Sequence, residues 1–137
     1  MRVRSFMTKG VESVGPGCTV KTAANLMRRR NIGALLVREG DVLVGILTDR
    51  DIVVRASARG GTGRMTAAEV MTSDPARCYD EADINIVAGM MRRLKIRRLP
   101  VVDRAERPVG MLSLDDLAER EGPLASSVLR AVAAKRR

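Results

Sequence analysis

The sequence predicts an α/β protein built from two copies of one β-α-β-β-α unit, followed by a C-terminal helix. Three observations support this prediction. The dipeptide Met7-Thr8 recurs 64 residues later as Met71-Thr72. In both copies the hydrophobic spacing changes from extended to helical and back to extended. The apolar residues are almost wholly aliphatic, with one Phe, one Tyr, no Trp and eight Met among 137 residues, which suits helices packed on small sheets.

The duplication runs in order through both copies. At the shift of 64 residues the matching pairs are Val20/Ile84, Ala24/Ala88, Met27/Met91, Ile32/Ile96, Leu35/Leu99 and Val37/Val101. After one extra residue in the second copy, the shift becomes 65 and the pairs are Gly45/Gly110, Leu47/Leu112, Thr48/Ser113, Asp51/Asp116 and Ile52/Leu117. We therefore expect repeat 1 at residues 1–61, repeat 2 at 62–122 and a basic C-terminal helix at 123–137. The repeats join around Gly60-Gly61-Thr62-Gly63.

Each copy opens with a short extended segment, at residues 11–14 or 77–79, which leads to a helix N-cap at Thr19 or Asp83. Apolar residues then recur at helical spacing, namely Val20, Ala23, Ala24 and Met27 in the first copy and Ile84, Val87, Ala88 and Met91 in the second. Basic residues at 28–30 and 92–95 end these helices, where cations complement the helix dipole.

Two short apolar runs follow in each copy, at 34–37 with 42–47 and at 99–102 with 109–112. Turn residues separate the members of each pair, which predicts antiparallel hairpins. A second helix is expected at about 49–58 and again at about 114–120. Since so small a unit cannot bury both faces of its sheet, we expect the two copies to pack sheet to sheet with pseudo-twofold symmetry. The final segment has Leu124, Val128, Ala131 and Val132 on one helical face and ends Lys135-Arg136-Arg137.

The composition argues against catalysis and metal binding. There is no His, which removes the commonest general base and leaves only Cys18, Cys78 and carboxylates for a zinc site. There is no glycine-rich phosphate loop and no nucleophile elbow. The pairs Asp49/Asp51 and Asp115/Asp116 imitate catalytic carboxylates, but the repeat already explains them. We expect no enzyme activity, no metal and no obligatory cofactor.

The sequence also bears on location. No apolar run reaches the length of a membrane span, and the first ten residues contain no signal-peptide core. We therefore expect a cytoplasmic protein with reduced thiols.

The chain resembles the cystathionine-β-synthase (CBS) domain family, as a stand-alone tandem pair. The first copy carries the likeness in Met7-Thr8, in residues 32–37 and in the stretch GILTDRDI at 45–52. The second copy carries it in Val70-Met71-Thr72, in residues 96–103 and in the stretch GMLSLDDL at 110–117. The likeness covers about residues 3 to 121. Each repeat ends with the pattern Gly-h-h-[Ser/Thr]-x-x-Asp, where h is apolar.

The resemblance implies a regulatory, energy-sensing module that binds AMP, ADP, ATP or S-adenosylmethionine in clefts between the repeats. It would signal to a partner in trans, since the sequence shows no catalytic or transport domain. Thr48 and Ser113 begin helices, where free N–H groups favour a phosphate. The carboxylates of Asp51 and Asp116 can accept hydrogen bonds from both ribose hydroxyls. The alternative is that Thr48 and Ser113 only cap their helices, with the aspartates as first-turn dipole partners.

By the same resemblance, an apolar pocket supplied mainly by the opposite repeat holds the adenine. For the site at Ser113 and Asp116 the expected wall residues are Val11, Glu12, Ile32, Gly33 and Met111. For the site at Thr48 and Asp51 they are Pro75, Ala76, Ile96 and Ile46. The alternative for the apolar members is plain core packing, which is the favoured role for Ile46 and Met111.

The two sites should be unequal. Arg97 and Arg98 occupy positions where kinase-regulating members of the family have a His-Arg pair that contacts phosphates, whereas the first copy has Gly33-Ala34 there. Arginine suits phosphate because its guanidinium binds in bidentate fashion. The cleft approached by Arg97 and Arg98 should prefer the more anionic ligand. The alternative is a solvated strand edge.

Paired modules of this family commonly dimerise through their helices, so we expect a homodimer in which exposed Met and Ala faces make the contact. An alternative function is nucleic-acid binding, which the net charge of +9 and the basic C-terminal end permit. No helix-turn-helix, zinc knuckle or aromatic platform in the sequence supports it.

Overall fold

A computed structural model describes residues 1–61 and 63–135 of the chain. The chain divides into two compact units: unit 1 is Met1–Gly10 with Ala76–Arg137, and unit 2 is Val11–Pro75. The predicted α/β class is confirmed, because each unit contains a sheet and helices. Thr62 of the expected linker and Arg136-Arg137 of the expected basic end lie outside the described residues.

The helices and strands alternate along the chain. In order they are a 3-10 turn (Val3–Ser5), β1 (Thr8–Lys9), β2 (Ser13–Val14), α1 (Val20–Arg30), β3 (Ala34–Glu39), β4 (Val42–Thr48), α2 (Asp49–Asp51) continued by a π-helical turn (Ile52–Ala56) and a 3-10 turn (Ser57–Arg59), α3 (Ala67–Val70), β5 (Thr72–Ser73), β6 (Cys78–Tyr79), α4 (Ile84–Leu94), β7 (Arg98–Val102), β8 (Pro108–Ser113), α5 (Leu114–Arg120) and α6 (Gly122–Lys135).

The first helix of each repeat begins and ends as predicted. Thr19 caps α1 by accepting a hydrogen bond from the Thr22 N–H at 3.1 Å. Asp83 caps α4 by accepting from the Asn85 N–H at 2.8 Å. Both helices end at a left-handed residue, at positions that the repeat makes equivalent: Asn31 (φ 54°) and Lys95 (φ 56°).

The second helix of repeat 1 is less regular than predicted. An α-helical turn at Asp49–Asp51 gives way to π-helical and then 3-10 geometry. The change begins at Ile52-Val53-Val54, where β-branched side chains crowd the preceding turn and lower helix propensity. In repeat 2 the equivalent segment is Leu117-Ala118-Glu119, and α5 remains regular.

The two sheets have the same strand order. In unit 2 it is β2-β3-β4-β5, and in unit 1 it is β6-β7-β8-β1. The predicted hairpins β3–β4 and β7–β8 are confirmed as antiparallel, while β2–β3 and β6–β7 are parallel. The fourth strand of each sheet comes from the start of the other repeat. We call these two strands, β1 and β5, the entering strands; neither was expected from the sequence.

Each unit has its own hydrophobic core. The unit 2 core contains the helix positions Val20, Ala23 and Met27 packed with residues of β3, β4 and α3. The unit 1 core contains Ile84, Val87, Ala88 and Met91 of α4 together with Ala125, Val128 and Val132 of α6. The C-terminal helix is therefore part of unit 1. Burying a valine side chain such as Val128 contributes about 1.5–3 kcal/mol.

The expectation of exposed Met and Ala faces was wrong for the two main helices. Met27, Met91, Ala23 and Ala88 are all buried, with exposed fractions between 0 and 6%. They face inward because they fall on the helical stripe that packs against the sheet. Within the described residues, no helix is long and apolar enough to cross a membrane.

A glycine at the centre of each sheet makes room for the entering strand. A Cβ atom placed on Gly110 would lie 2.6 Å from the Thr8 carbonyl oxygen. A Cβ atom on Gly45 would lie 2.3 Å from Met71 Sδ and 3.1 Å from the Thr72 carbonyl oxygen. These are the glycines that open the Gly-h-h-[Ser/Thr]-x-x-Asp pattern, so packing of the entering strand explains the first position of the motif.

The variant Gly110→Ala should destabilise the protein by about 1–3 kcal/mol, because the added methyl group collides with backbone. Gly45→Ala should cost less, since the nearest obstacle there is the end of a flexible methionine side chain. Urea unfolding of both variants measures the difference. Gly15→Ala is the control, because nothing lies within 4 Å of its Cβ position. Equal stability of all three variants would contradict this account of the motif glycine.

Candidate functional site

The duplicated hydroxyl–carboxylate pairs have the same geometry in both units. In unit 2, Thr48 Oγ1 accepts a hydrogen bond from the Asp51 N–H at 3.1 Å, and Asp51 Oδ2 accepts from the Thr48 N–H at 3.0 Å. In unit 1, Ser113 Oγ accepts from the Asp116 N–H at 3.1 Å, and Asp116 Oδ2 accepts from the Ser113 N–H at 2.8 Å. Both pairs are capping boxes. Thr48 and Ser113 therefore do cap their helices, and a ligand role for the same side chains stays a prediction.

Each capping box leaves some of its own hydrogen-bonding groups unused. A hydroxyl group can donate one hydrogen bond as well as accept, and a carboxylate has two acceptor oxygens. Neither box uses its hydroxyl proton or the Oδ1 atom of its aspartate. All four side chains belong to half-buried residues. Each box can therefore offer a ligand one hydrogen-bond donor and one charged acceptor, held in place by the cap.

The Oδ1 atoms of the two aspartates have different neighbours. Asp51 Oδ1 lies 3.7 Å from Arg55 Nη1, one helical turn further along the chain. Asp116 Oδ1 accepts a hydrogen bond from Thr8 Oγ1 of β1 at 3.2 Å. A cation thus faces the carboxylate in unit 2, whereas a neutral hydroxyl faces it in unit 1. The charge of Asp51 is the more compensated of the two.

Arg97 and Arg98 lie beside the unit 1 pair. Arg98 is the cross-strand partner of Ser113, and the Arg97 carbonyl accepts from the Leu114 N–H at 2.9 Å. These residues line a shallow pocket of about 30 Å³ together with Asp115. That volume is close to the share of one water molecule in the liquid, so the pocket alone has room for one small group.

The equivalent position in unit 2 carries no charge. Ala34 is the cross-strand partner of Thr48, and the Gly33 carbonyl accepts from the Asp49 N–H at 3.0 Å. The backbone arrangement is thus the same in both units, and the side chains differ. This difference places two guanidinium groups beside Ser113 and none at the matching position beside Thr48.

The remaining candidate residues are divided between the units. Val11, Glu12, Ile32, Ile46 and Pro75 belong to unit 2, and Ala76, Ile96 and Met111 belong to unit 1. Ile46 and Met111 are 9% and 6% exposed, in keeping with a packing role. Glu12 forms an ion pair with Arg30 at 3.2 Å, so its carboxylate already has a partner. The assignment of these residues to ligand walls stays a prediction.

Three side chains that bear on the site were not expected from the sequence: Arg55 and Thr8, which contact the two aspartates, and Arg120, the repeat equivalent of Arg55. Arg55 and Arg120 stand in the same place in the repeat, four residues after Asp51 and Asp116. Extending the self-comparison beyond each aspartate would have found them. Thr8 belongs to the Met-Thr pair that first revealed the duplication, but its contact with Asp116 spans 108 residues.

A larger pocket lies at the other end of the unit 1 sheet. It has a volume of about 500 Å³ and is lined by Tyr79, Glu81, Ala82 and Arg104. The Tyr79 hydroxyl donates to Glu106 at 2.6 Å, and this hydrogen bond raises the pKa of Tyr79. Glu81 pairs with Arg104 at 2.8 Å, which lowers the pKa of that carboxyl. Because these polar groups satisfy one another, the pocket is a weaker candidate than the duplicated pairs.

The two cysteines are poorly suited to reactivity. Burial raises the pKa of the Cys78 thiol to about 12. Burial also raises the pKa of Cys18. Both groups are therefore thiols rather than thiolates near neutral pH. Among the described residues, no group of three or more Cys, Asp or Glu side chains is placed to hold a metal ion.

Comparison with known proteins places both repeats in one family. The CBS domain profile matches the chain twice, at residues 3–57 and 67–121. The CBS domain-containing protein YhcV of Bacillus subtilis is 40% identical over 116 residues, which cover 85% of this chain and 82% of YhcV. Hypoxic response protein 1 of Mycobacterium tuberculosis is 36% identical over 117 residues, covering 84% of this chain and 81% of that protein.

Solved structures share the fold. The crystal structure of hypoxic response protein I with two coordinated zinc ions has a TM-score of 0.78 and 34% identity, covering 88% of this chain and 98% of that one. The conserved CBS domain protein TA0289 of Thermoplasma acidophilum has a TM-score of 0.85 and 25% identity, covering 96% of this chain and 75% of that one. The predicted tandem pair is confirmed.

Proposed function

The chain belongs to the CBS domain family, whose pairs are generally regulatory ligand-binding modules, and we propose that it senses adenosine-containing ligands. The ligands are AMP, ADP, ATP or S-adenosylmethionine, and the response passes to a partner protein in trans. The observation that carries the proposal is the duplicated capping box. Thr48 with Asp51 and Ser113 with Asp116 repeat the same reciprocal hydrogen bonds at the end of equivalent hairpins.

The chemistry of each pair matches an adenosine ligand. The Oδ1 atom of the aspartate, which the capping box does not use, can accept a hydrogen bond from a ribose hydroxyl, and the Thr or Ser hydroxyl can donate to a phosphate oxygen. A hydrogen bond to a charged group contributes about 1.5–3 kcal/mol. The cap fixes both side chains before the ligand arrives, so little side-chain entropy is lost on binding.

The two pairs should differ in ligand preference. Arg97 and Arg98 add two positive charges beside Ser113, and a guanidinium group binds phosphate oxygens in bidentate fashion. The unit 1 pair should therefore favour the more anionic ligands, ADP and ATP. The unit 2 pair has Gly33 and Ala34, which carry no charge, at the equivalent positions. It should favour ligands with less negative charge.

A sensor must bind its ligand with different affinity in two states of the protein or of its complex.

We propose that the chain acts as a homodimer. Candidate contact residues are the exposed apolar side chains on one face of α4, Ile86 (71% exposed) and Leu94 (44% exposed), with half-buried Met90 between them. Positions spaced by four residues lie along one side of a helix. These residues replace the Met and Ala faces expected from the sequence.

A second candidate function is nucleic-acid binding, favoured by one observation on unit 1. Five exposed cations surround the end of α4 and the start of β7: Arg92, Arg93, Lys95, Arg97 and Arg98. In the described part of the chain none of them has an acidic partner. The corresponding helix of unit 2 ends in Arg28, Arg29 and Arg30, of which Arg30 is paired with Glu12, and the strand that follows begins at the uncharged Ala34. A surface of this kind binds phosphate backbones without reading sequence.

Calorimetry and thermal-shift assays with AMP, ADP, ATP, S-adenosylmethionine and NADH test the proposal. A ligand at 100 times its dissociation constant should stabilise the protein by about 2.7 kcal/mol. Asp51→Asn and Asp116→Asn should each weaken binding at one site by about tenfold or more, since each removes a charged acceptor but keeps the capping oxygen. Asp41→Asn, in an exposed turn, is the matched charge control.

The ligand proposal fails if no adenosine compound binds, or if both asparagine variants bind as well as the parent protein.

Light scattering at micromolar concentration should give twice the chain mass of 14.9 kDa. Ile86→Glu should shift the protein toward monomer, because a charge on the apolar face would be buried in the dimer. Val42→Glu, at another exposed apolar position (56% exposed) on a hairpin, should leave the mass unchanged. A monomer at this concentration rules out the homodimer.

Binding of duplex DNA measured over a salt series tests the second candidate. Affinity should fall steeply, with a log–log slope of about −0.9 for each phosphate contacted. The double variant Arg93→Gln with Lys95→Gln should reduce both the affinity and the slope. Absence of binding at low salt, or a flat salt dependence, removes nucleic acid as a partner.

A further inference from the structure

Arg55 holds the segment that leads into entering strand β5. Its Nη1 atom donates to the carbonyls of Val70 and Met71 at 3.1 and 3.0 Å, and to Thr72 Oγ1 at 3.3 Å. The two carbonyls lie at the end of α3, where backbone acceptors have no helical partner and a cation is favourable. The same Nη1 atom lies 3.7 Å from Asp51 Oδ1. One guanidinium group therefore contacts both the candidate ligand residue and the entering strand.

In unit 1, Arg120 holds the segment that leads into entering strand β1. It donates to the carbonyl of Ser5, at the end of the 3-10 turn that precedes β1. Its guanidinium carbon lies 5.3 Å from the centroid of the Phe6 ring, a distance at which cation–π attraction is significant. Both repeats thus use an arginine four residues after the aspartate to hold the turn before an entering strand.

The link from aspartate to entering strand exists in both units but uses different side chains. In unit 2 it runs from Asp51 through Arg55 to β5. In unit 1, Asp116 binds the entering strand directly, because Thr8 of β1 donates to its Oδ1 atom at 3.2 Å. In both cases the oxygen involved is the one that the capping box leaves for a ligand.

We propose that Arg55 and Thr8 are positioning residues that couple the two aspartates to the entering strands, so that ligand binding changes how firmly β5 and β1 are held. The identity of the ligand rests on the proposed function, whereas the coupling is a property of the ligand-free protein. A ribose hydroxyl that donates to Oδ1 competes with Arg55 or Thr8 for the same oxygen. Occupancy therefore loosens the strand.

The location of these strands makes them suited to carry a signal. β1 ends one residue before Gly10, the last residue of the first unit 1 segment, and β5 ends two residues before Pro75, the last residue of unit 2. A change in either entering strand thus acts on the point where the chain passes from one unit to the other.

Hydrogen exchange of the full-length, ligand-free protein tests the coupling, read from peptides that cover residues 70–73. Arg55→Met should speed exchange there by about tenfold, because three hydrogen bonds to the segment are lost. Asp51→Asn should speed it by about two- to threefold, the size of a partly exposed ion pair. The double variant should exchange no faster than Arg55→Met alone, since both changes break the same link. Arg50→Met, an exposed neighbour on the same helix, is the control.

Unit 1 supplies the matched comparison. Thr8→Val should speed exchange in peptides that cover residues 7–9 by about two- to threefold, and Thr8→Ser should restore the parent rate because it keeps the hydroxyl. Asp51→Asn and Thr8→Val leave the arginine–carbonyl bonds intact, so they remain informative if Arg55→Met does not fold. The proposed coupling is wrong if Asp51→Asn and Thr8→Val both leave hydrogen exchange at the parent rate. It is also wrong if the effects of Asp51→Asn and Arg55→Met on residues 70–73 add.

A final hydrogen-exchange measurement adds AMP at a saturating concentration. Bound AMP should speed exchange of residues 70–73 or 7–9 in the parent protein. Slower or unchanged exchange at both segments overturns the predicted competition. If AMP and the other adenosine compounds do not bind, the proposed function fails, while the ligand-free variants still decide whether the coupling exists.

Discussion

The close approach of an entering strand to a motif glycine is the contact on which both sheets depend. At Gly110 the strand comes so near that a Cβ atom would lie 2.6 Å from the Thr8 carbonyl oxygen, too close for any side chain. The same contact brings Thr8 to the carboxylate of Asp116, and in unit 2 it brings Thr72 within reach of Arg55. A strand of two residues has too little backbone pairing to hold itself in place. The glycine, the arginine and the preceding helical turn together give it a fixed position.

The duplicated motif therefore both positions the entering strand and caps the helix that follows it. Its first residue accommodates the entering strand, and its Ser or Thr caps a helix. Its aspartate completes the cap and reaches the strand through Arg55 or Thr8. Substitution by alanine would remove the cap and the charge together, so loss of binding could follow from a frayed helix. Asparagine separates the two effects, because one side-chain oxygen still accepts from the backbone while the charge is gone.

The sequence was a good guide to features set by neighbouring residues. The hairpins, the caps at Thr19 and Asp83 and the buried stripe of α4 follow from local spacing and from residue types with strong preferences. The entering strands could not be predicted in this way, since two residues show no periodicity. The pairing of Thr8 with Met111 also depends on the tertiary fold. In the irregular helix after Asp51, local crowding of β-branched side chains overrides the expectation of one regular helix at about 49–58.

The candidate site was predictable to a similar degree. Duplication singled out Thr48, Asp51, Ser113 and Asp116, and the charge difference at Arg97 and Arg98 followed from comparing the copies. The different partners of the two Oδ1 atoms could not be read from spacing, because Thr8 is remote in sequence from Asp116. The two pairs thus differ both in the arginines beside them and in the partners of their Oδ1 atoms, and only the first difference is visible in the sequence.

The central claim is that the duplicated hydroxyl–carboxylate pairs bind adenosine ligands, and backbone NMR during an AMP titration tests it most directly. The account predicts saturable shifts of the amide resonances of residues 48–51 and 113–116, with Asp51 and Asp116 among the largest. Shifts concentrated at Tyr79, Glu81 and Arg104, with residues 48–51 and 113–116 unchanged, would move the site to the other end of the unit 1 sheet and contradict the claim.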